Sequence, residues 1–194
     1  MEIPDQVLQQ MQTTKMPILK ISNGEIEKRL EYFGWHRSVA GDEDFDKAVK
    51  AIVAMYGSGR GLFITGDAGC GKTALMSALK KIMGRGGECW FYCKEPDDIS
   101  ALRGSTCDAL EDSVFIDDIG SEEILREYGN TVDVVGDFVQ RYHYRGKRRF
   151  LATTNLDGKG INERYGGRVV DRINEMCVVL HLSGKSKRER IVFK

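Results

Sequence analysis

The chain has 194 residues, 41% apolar and 30% charged, enough for one domain with a sizeable core and short for two. No apolar run approaches the roughly 18 residues of a membrane span, and the N-terminus lacks a charged-then-apolar leader, so a soluble cytoplasmic protein with no membrane partner is expected. Net charge is zero but uneven: residues 1–140 carry 15 basic and 24 acidic side chains, residues 141–194 carry 14 and 5.

The basic C-terminal quarter suits an anionic partner, or is a solvated basic face. The five cysteines form no zinc pattern, and reduced thiols are expected. Residues 1–40 read as an N-terminal appendage, a polar stretch bracketed by Pro4 and Pro17 with short helices from Asp5 and over 25–35. Such helices dock on a partner, pack on their own domain or fray.

Residues 41–194 read as the core. Asp42, Glu43 and Asp44 suit a helix N-terminus. Phe45, Ala48, Val49, Ile52, Val53 and Tyr56 follow at helical spacing, and Gly57 is expected to close that helix. Apolar runs predict strands over 61–65, 89–93, 114–116, 150–153 and 177–182. Helices are predicted over 73–83, 133–145 and 168–176. This alternation predicts an α/β domain with a mainly parallel sheet that binds ligands at its carboxyl edge.

"GDAGCGKT", residues 66–73, fits G-x-x-x-x-G-K-[ST] between a strand and a helix. Gly66, Asp67, Ala68, Gly69, Cys70, Gly71, Lys72, Thr73 and Ala74 are the candidate ATP or ADP contacts. Backbone N–H groups and the helix N-terminus suit phosphate, Lys72 suits the β and γ phosphates, and the Thr73 hydroxyl suits Mg2+. "VFIDDIG", residues 114–120, ends an apolar run on two carboxylates that repel each other and resist burial. Asp117 is the candidate Mg2+ ligand, with Thr73 opposite, and the ion would offset that repulsion; otherwise the pair is an acidic strand-end turn. Asp118 is the candidate general base for water. In "ATTNL", residues 152–156, Asn155 is a candidate phosphate or water sensor, or a turn-forming Asn.

These three motifs, followed by "RYGGRVVDRINEM" at 164–176, resemble the AAA+ ATPases, in particular the DnaC/IstB-like branch related to DnaA. The resemblance covers roughly residues 45–190 and implies a P-loop NTPase fold. It implies a five-stranded sheet in order 5-1-4-3-2 flanked by helices, without a C-terminal helical lid. It also implies that Arg172 is the finger completing a neighbour's site, with Arg168 one turn earlier as a second candidate. Otherwise Arg172 pairs with Glu175 on a solvated helix. Arg188, in "GKSKRER" at 184–190, takes the second sensor position by resemblance, with Lys187 and Arg190 as neighbours that leave the assignment open.

A finger acting in trans implies head-to-tail self-assembly on ATP. The implied function is an ATPase, weak and stimulated by assembly or DNA, in a helicase loader serving a replicative helicase on single-stranded DNA. The alternative is an IstB-like ATPase that assembles on duplex DNA and assists a transposase. A small-molecule P-loop kinase and an ATP-gated binding module that does not hydrolyse are further classes. Arg141, Arg145, Lys147, Arg148 and Arg149 are candidate DNA contacts, or a helix C-terminus satisfying its dipole. The segment 94–113 leaves room for one short helix.

Overall fold

A computed structural model describes residues 20–84, 88–103, 113–123, 125–127, 130–145 and 149–184. Among the described residues there are seven strands: β1 (Gly61–Gly66), β2 (Glu88–Tyr92), β3 (Ser113–Ile119), β4 (Leu125–Glu127), β5 (Asn130–Val132), β6 (Arg149–Thr154) and β7 (Cys177–Leu182). The helices are α1 (Asn23–Tyr32), α2 (Arg37–Ala40), α3 (Asp42–Ser58), α4 (Lys72–Met83), α5 (Pro96–Arg103), α6 (Val134–Arg145), α7 (Gly158–Tyr165) and α8 (Gly167–Met176).

The main sheet runs β2-β3-β6-β1-β7, with all its neighbours parallel. Taking the five predicted strands in chain order, this is the expected 5-1-4-3-2 read from the other edge. The chain therefore has an α/β fold, with a parallel five-stranded sheet between two helical layers, the arrangement expected of a P-loop NTPase. Alternation along the strands builds both layers. Leu62, Ile64, Phe115, Leu151 and Leu180 face α1, α3 and α4. Phe63, Val114, Ile116, Phe150 and Ala152 face α5 to α8.

The structure departs from the sequence expectation at several points, the four-residue helix α2 among them. Helix α3 runs through Gly57 to Ser58 and is closed by Gly59, which takes the left-handed conformation at φ +68°. Strand β3 continues past Ile116 through both aspartates to Ile119, with a register shift against β6 between Ile116 and Ile119. Helix α7 had no counterpart in the prediction; Asp157 caps it by accepting from the Gly160 N–H at 2.7 Å. The short antiparallel pair β4–β5 is also additional.

Within 1–40, the described residues 20–40 pack on their own domain. Ser22 caps α1, and Ile26 and Leu30 are fully buried. Trp35 is 1% exposed and stacks on Phe45 of α3, with ring centroids 5.4 Å apart. The helix expected from Asp5 lies outside the described residues.

Asp44 does more than complement a helix dipole. It is buried and accepts from the Ser183 N–H at 3.1 Å, the Ser183 hydroxyl at 3.0 Å and the Gly184 N–H at 2.7 Å. This ties α3 to the end of β7. Burial pushes its carboxyl upward, but these hydrogen bonds outweigh burial and hold it below the ordinary aspartate value.

Leu30→Ala is expected to cost about 2–5 kcal/mol, read as a lower denaturant midpoint, because α1 belongs to the core. The depressed Asp44 carboxyl contributes stability that is present above the unfolded-state pKa and is lost as pH falls through the folded one. Asp44→Asn is therefore expected to lower Tm at pH 7, and thermal melts should show that deficit shrinking below about pH 4.

Candidate nucleotide site

The carboxyl ends of β1, β6, β3 and β2 open on one cavity of about 650 Å3. Its floor is the phosphate loop between β1 and α4. Gly71 stands at φ +102°, a conformation strained for other residues, and passes the chain directly into α4. Ala68, Gly69, Gly71, Lys72, Thr73 and Ala74 line the cavity. Cys70 is buried beneath the loop, 3.8 Å from the Lys72 Nζ. Gly66 ends β1, and Asp67 begins the turn.

Lys72 is only 7% exposed. Its Nζ donates to the Gly66 carbonyl at 2.6 Å, the Asp67 carbonyl at 2.8 Å and Asn155 Oδ1 at 2.7 Å. These partners are neutral oxygens.

Asp117 and Asp118 turn to separate sets of partners. Asp117 is 5% exposed. It accepts from Thr73 Oγ1 at 3.0 and 3.1 Å and from Thr153 Oγ1 at 2.5 Å. Asp118 stands at φ +63° and turns to other partners. Its Oδ2 pairs with Lys94 Nζ at 2.8 Å, and its Oδ1 accepts from Asn155 Nδ2 at 2.5 Å. Its backbone N–H donates to Thr153 Oγ1 at 2.8 Å. Asn155 thus bridges Lys72 and Asp118, and does not cap its own turn.

Two residues of this network were not singled out in the sequence. Thr153 joins both aspartates from β6 and is 1% exposed. Lys94 follows β2, the strand beside β3, and lines the cavity. The signal for Lys94 was its position just past a predicted strand.

Two of the predicted arginines lie elsewhere. Arg168 and Arg172 sit on α8 and are not among the cavity-lining residues. Arg172 Nη1 donates to Glu175 Oε2 at 2.9 Å, and His143 Nε2 lies 2.6 Å from the same oxygen. Arg188 lies outside the described residues, as do Lys147 and Arg148. Arg141 donates to the Leu102 carbonyl at 3.0 Å. Arg149 leaves the set of candidate DNA contacts: it is 4% exposed, with its guanidinium 4.6 Å over the Tyr56 ring.

No family model and no curated protein matches the chain. A solved structure of C. elegans PCH-2 is similar over 89% of this chain and 46% of that one, at 16% identity and a TM-score of 0.40. The chain therefore spans less than half the length of that protein. Among the described residues no helix is long and apolar enough to cross a membrane.

Thr153→Val removes the hydroxyl shared by both aspartates and leaves a buried carboxylate short of a donor. A loss of about 1–3 kcal/mol is expected in chemical denaturation, with unchanged far-UV circular dichroism.

Proposed function

We propose that the chain is a magnesium-dependent ATPase of the DnaC/IstB-like branch of AAA+ proteins, acting as a helicase loader on DNA. One observation carries the chemistry. A buried ammonium held by neutral oxygens and a buried carboxylate held by hydroxyls line the same cavity. Among the described residues neither has an ion-pair partner of opposite charge. Charges buried this way are costly unless a counter-charge arrives. A phosphate chain with its metal ion brings both counter-charges.

The donor set fits Mg2+. That ion keeps several waters and takes one or two carboxylates plus substrate phosphates. Thr73 and Asp117 are the residues that would hold it. Among the described residues no cluster of three or more His, Cys, Asp or Glu offers an all-protein metal cage. Magnesium, when bound, neutralises charge on the phosphate oxygens.

The remaining steps belong to the chain's own residues. Lys72 exchanges carbonyl and Asn155 partners for phosphate oxygens. Asp118 accepts the proton of the attacking water as the water oxygen bonds to the γ phosphorus and the bond to the ADP oxygen breaks. Asn155 touches both Lys72 and Asp118, so it registers the phosphate and orients the base together. Arg172 or Arg168 of a neighbouring copy is the proposed cation that completes charge stabilisation, which requires head-to-tail assembly. The order of the four motifs is what favours this branch; the strand order supports only the coarser α/β fold, and Arg168 and Arg141 are exposed cations available to a partner.

Lys72→Ala is expected to weaken ATP binding at least about tenfold to a hundredfold, measured by calorimetry; unchanged affinity overturns the reading. Arg172→Ala should keep ATP affinity and lose turnover. Mixing it with Asp118→Asn subunits should restore part of the activity if the arginine acts in trans. DNA affinity should fall steeply with salt. ATP-dependent assembly on long duplex in preference to single strands would redirect the reading to a transposition ATPase.

A further inference from the structure

Glu122 lies just past the strand that carries Asp117 and Asp118, and the site described above does not use it. Its side chain is 8% exposed. The two carboxylate oxygens serve different elements. Oε2 accepts from the Gly120 N–H at 2.8 Å, in the turn that ends β3. Oε1 accepts from the Tyr165 hydroxyl and from Arg164 Nε, the latter at 3.3 Å, at the end of α7. Arg164 Nη2 also donates to the Glu122 carbonyl, and Arg164 Nε lies 3.2 Å from the Tyr165 oxygen. A largely buried ion pair is tolerated when its remaining hydrogen bonds are made, and it then favours one discrete arrangement.

Both ends of this bridge lead to residues of interest. On the strand side, Thr154 Oγ1 donates to the Ile119 carbonyl at 2.6 Å, and Asn155 holds Asp118. Gly120 stands at φ +95°, and a Cβ there would meet Leu156 Cδ1 at 2.5 Å, so the turn is tightly packed. On the helix side, Gly166 alone separates Tyr165 from α8, which carries Arg168 and Arg172. Val169 and Ile173 anchor α8 in the core.

We infer that Glu122 is a positioning residue that couples occupancy of the chain's own phosphate site to the placement of α7 and α8. The face carrying Arg168 and Arg172 would then respond to the nucleotide bound in the same subunit. This rests on the ATP-binding reading above. When phosphate draws Lys72 and Asn155 toward it, Asp118 and the β3 turn shift. Glu122 is hydrogen-bonded to that turn, and it carries the shift to Arg164 and Tyr165. Packed elements with discrete arrangements transmit small displacements in this way.

Hydrogen exchange over residues 158–176, with and without Mg2+ and ATP, tests the coupling in the full chain and in Glu122→Gln. ATP is expected to slow exchange there about fivefold or more in the parent. In Glu122→Gln the response should fall below about twofold, with ATP affinity within about threefold of the parent. An equal response in the variant overturns the inference. ATP binding without any change over 158–176 in the parent also overturns it and leaves the ATPase reading standing. Failure of the parent to bind ATP overturns both. If Glu122→Gln does not fold by circular dichroism, Tyr165→Phe replaces it: a weakened response supports the bridge and a parental one overturns it.

Discussion

A buried ammonium group with neutral partners organises the ligand edge of this sheet. Lys72 gathers the carbonyls at the end of β1 and the amide of Asn155 at the end of β6. Asn155 reaches Asp118 on β3, and Asp118 reaches Lys94 after β2. The order of these contacts in space is the order of the strands, β1-β6-β3-β2. A parallel sheet is what makes this arrangement available, because all four carboxyl ends then fall on one edge. Placing β6 between β1 and β3 gives Asn155 a charge on each side.

The apolar layers hold that edge in place. Each central strand is packed on both faces, so its end has little freedom to drift. Polar ties add to this at the rim. Asp44 fastens the end of β7 to α3, and Thr153 fixes the Asp118 backbone from the adjacent strand. The buried Thr153 holds the Asp117 carboxylate and the Asp118 backbone, while the Asp118 side chain is held by Asn155 and Lys94 nearer the surface. Such preorganisation lowers the reorganisation needed when charge enters the site.

Local patterns were legible in the sequence, and pairings across long separations were not. Apolar runs announced the five parallel strands, and the glycine-rich loop with its lysine announced the turn that lines the cavity between β1 and α4. The Arg172–Glu175 pair was legible because the two residues lie one helical turn apart. Asp44 was read as one of three acidic residues at a helix start, yet its partners lie 139 and 140 positions away. Arg149 belonged to a basic run and is in fact packed on Tyr56 of α3. Glu122 pairs with a residue 42 positions on, and no periodicity reports such a contact. The end of α3 was misplaced because either Gly57 or Gly59 satisfies the stop signal, and only the backbone conformation distinguishes them.

The positive φ of Asp118 bears on which acid the position accepts. Left-handed backbone costs most residues about 1–2 kcal/mol, while Asp and Asn tolerate it because a short polar side chain can bond locally. Here the side chain is pinned by Asn155 and Lys94, and the backbone N–H by Thr153. The bend that separates Asp118 from Asp117 is thus suited to the shorter carboxylate. Side-chain length at this position is set by main-chain geometry as well as by reach toward a substrate. A sheet that places two adjacent acids on separate partners uses a left-handed residue to do so, and that residue limits side-chain length at its own position.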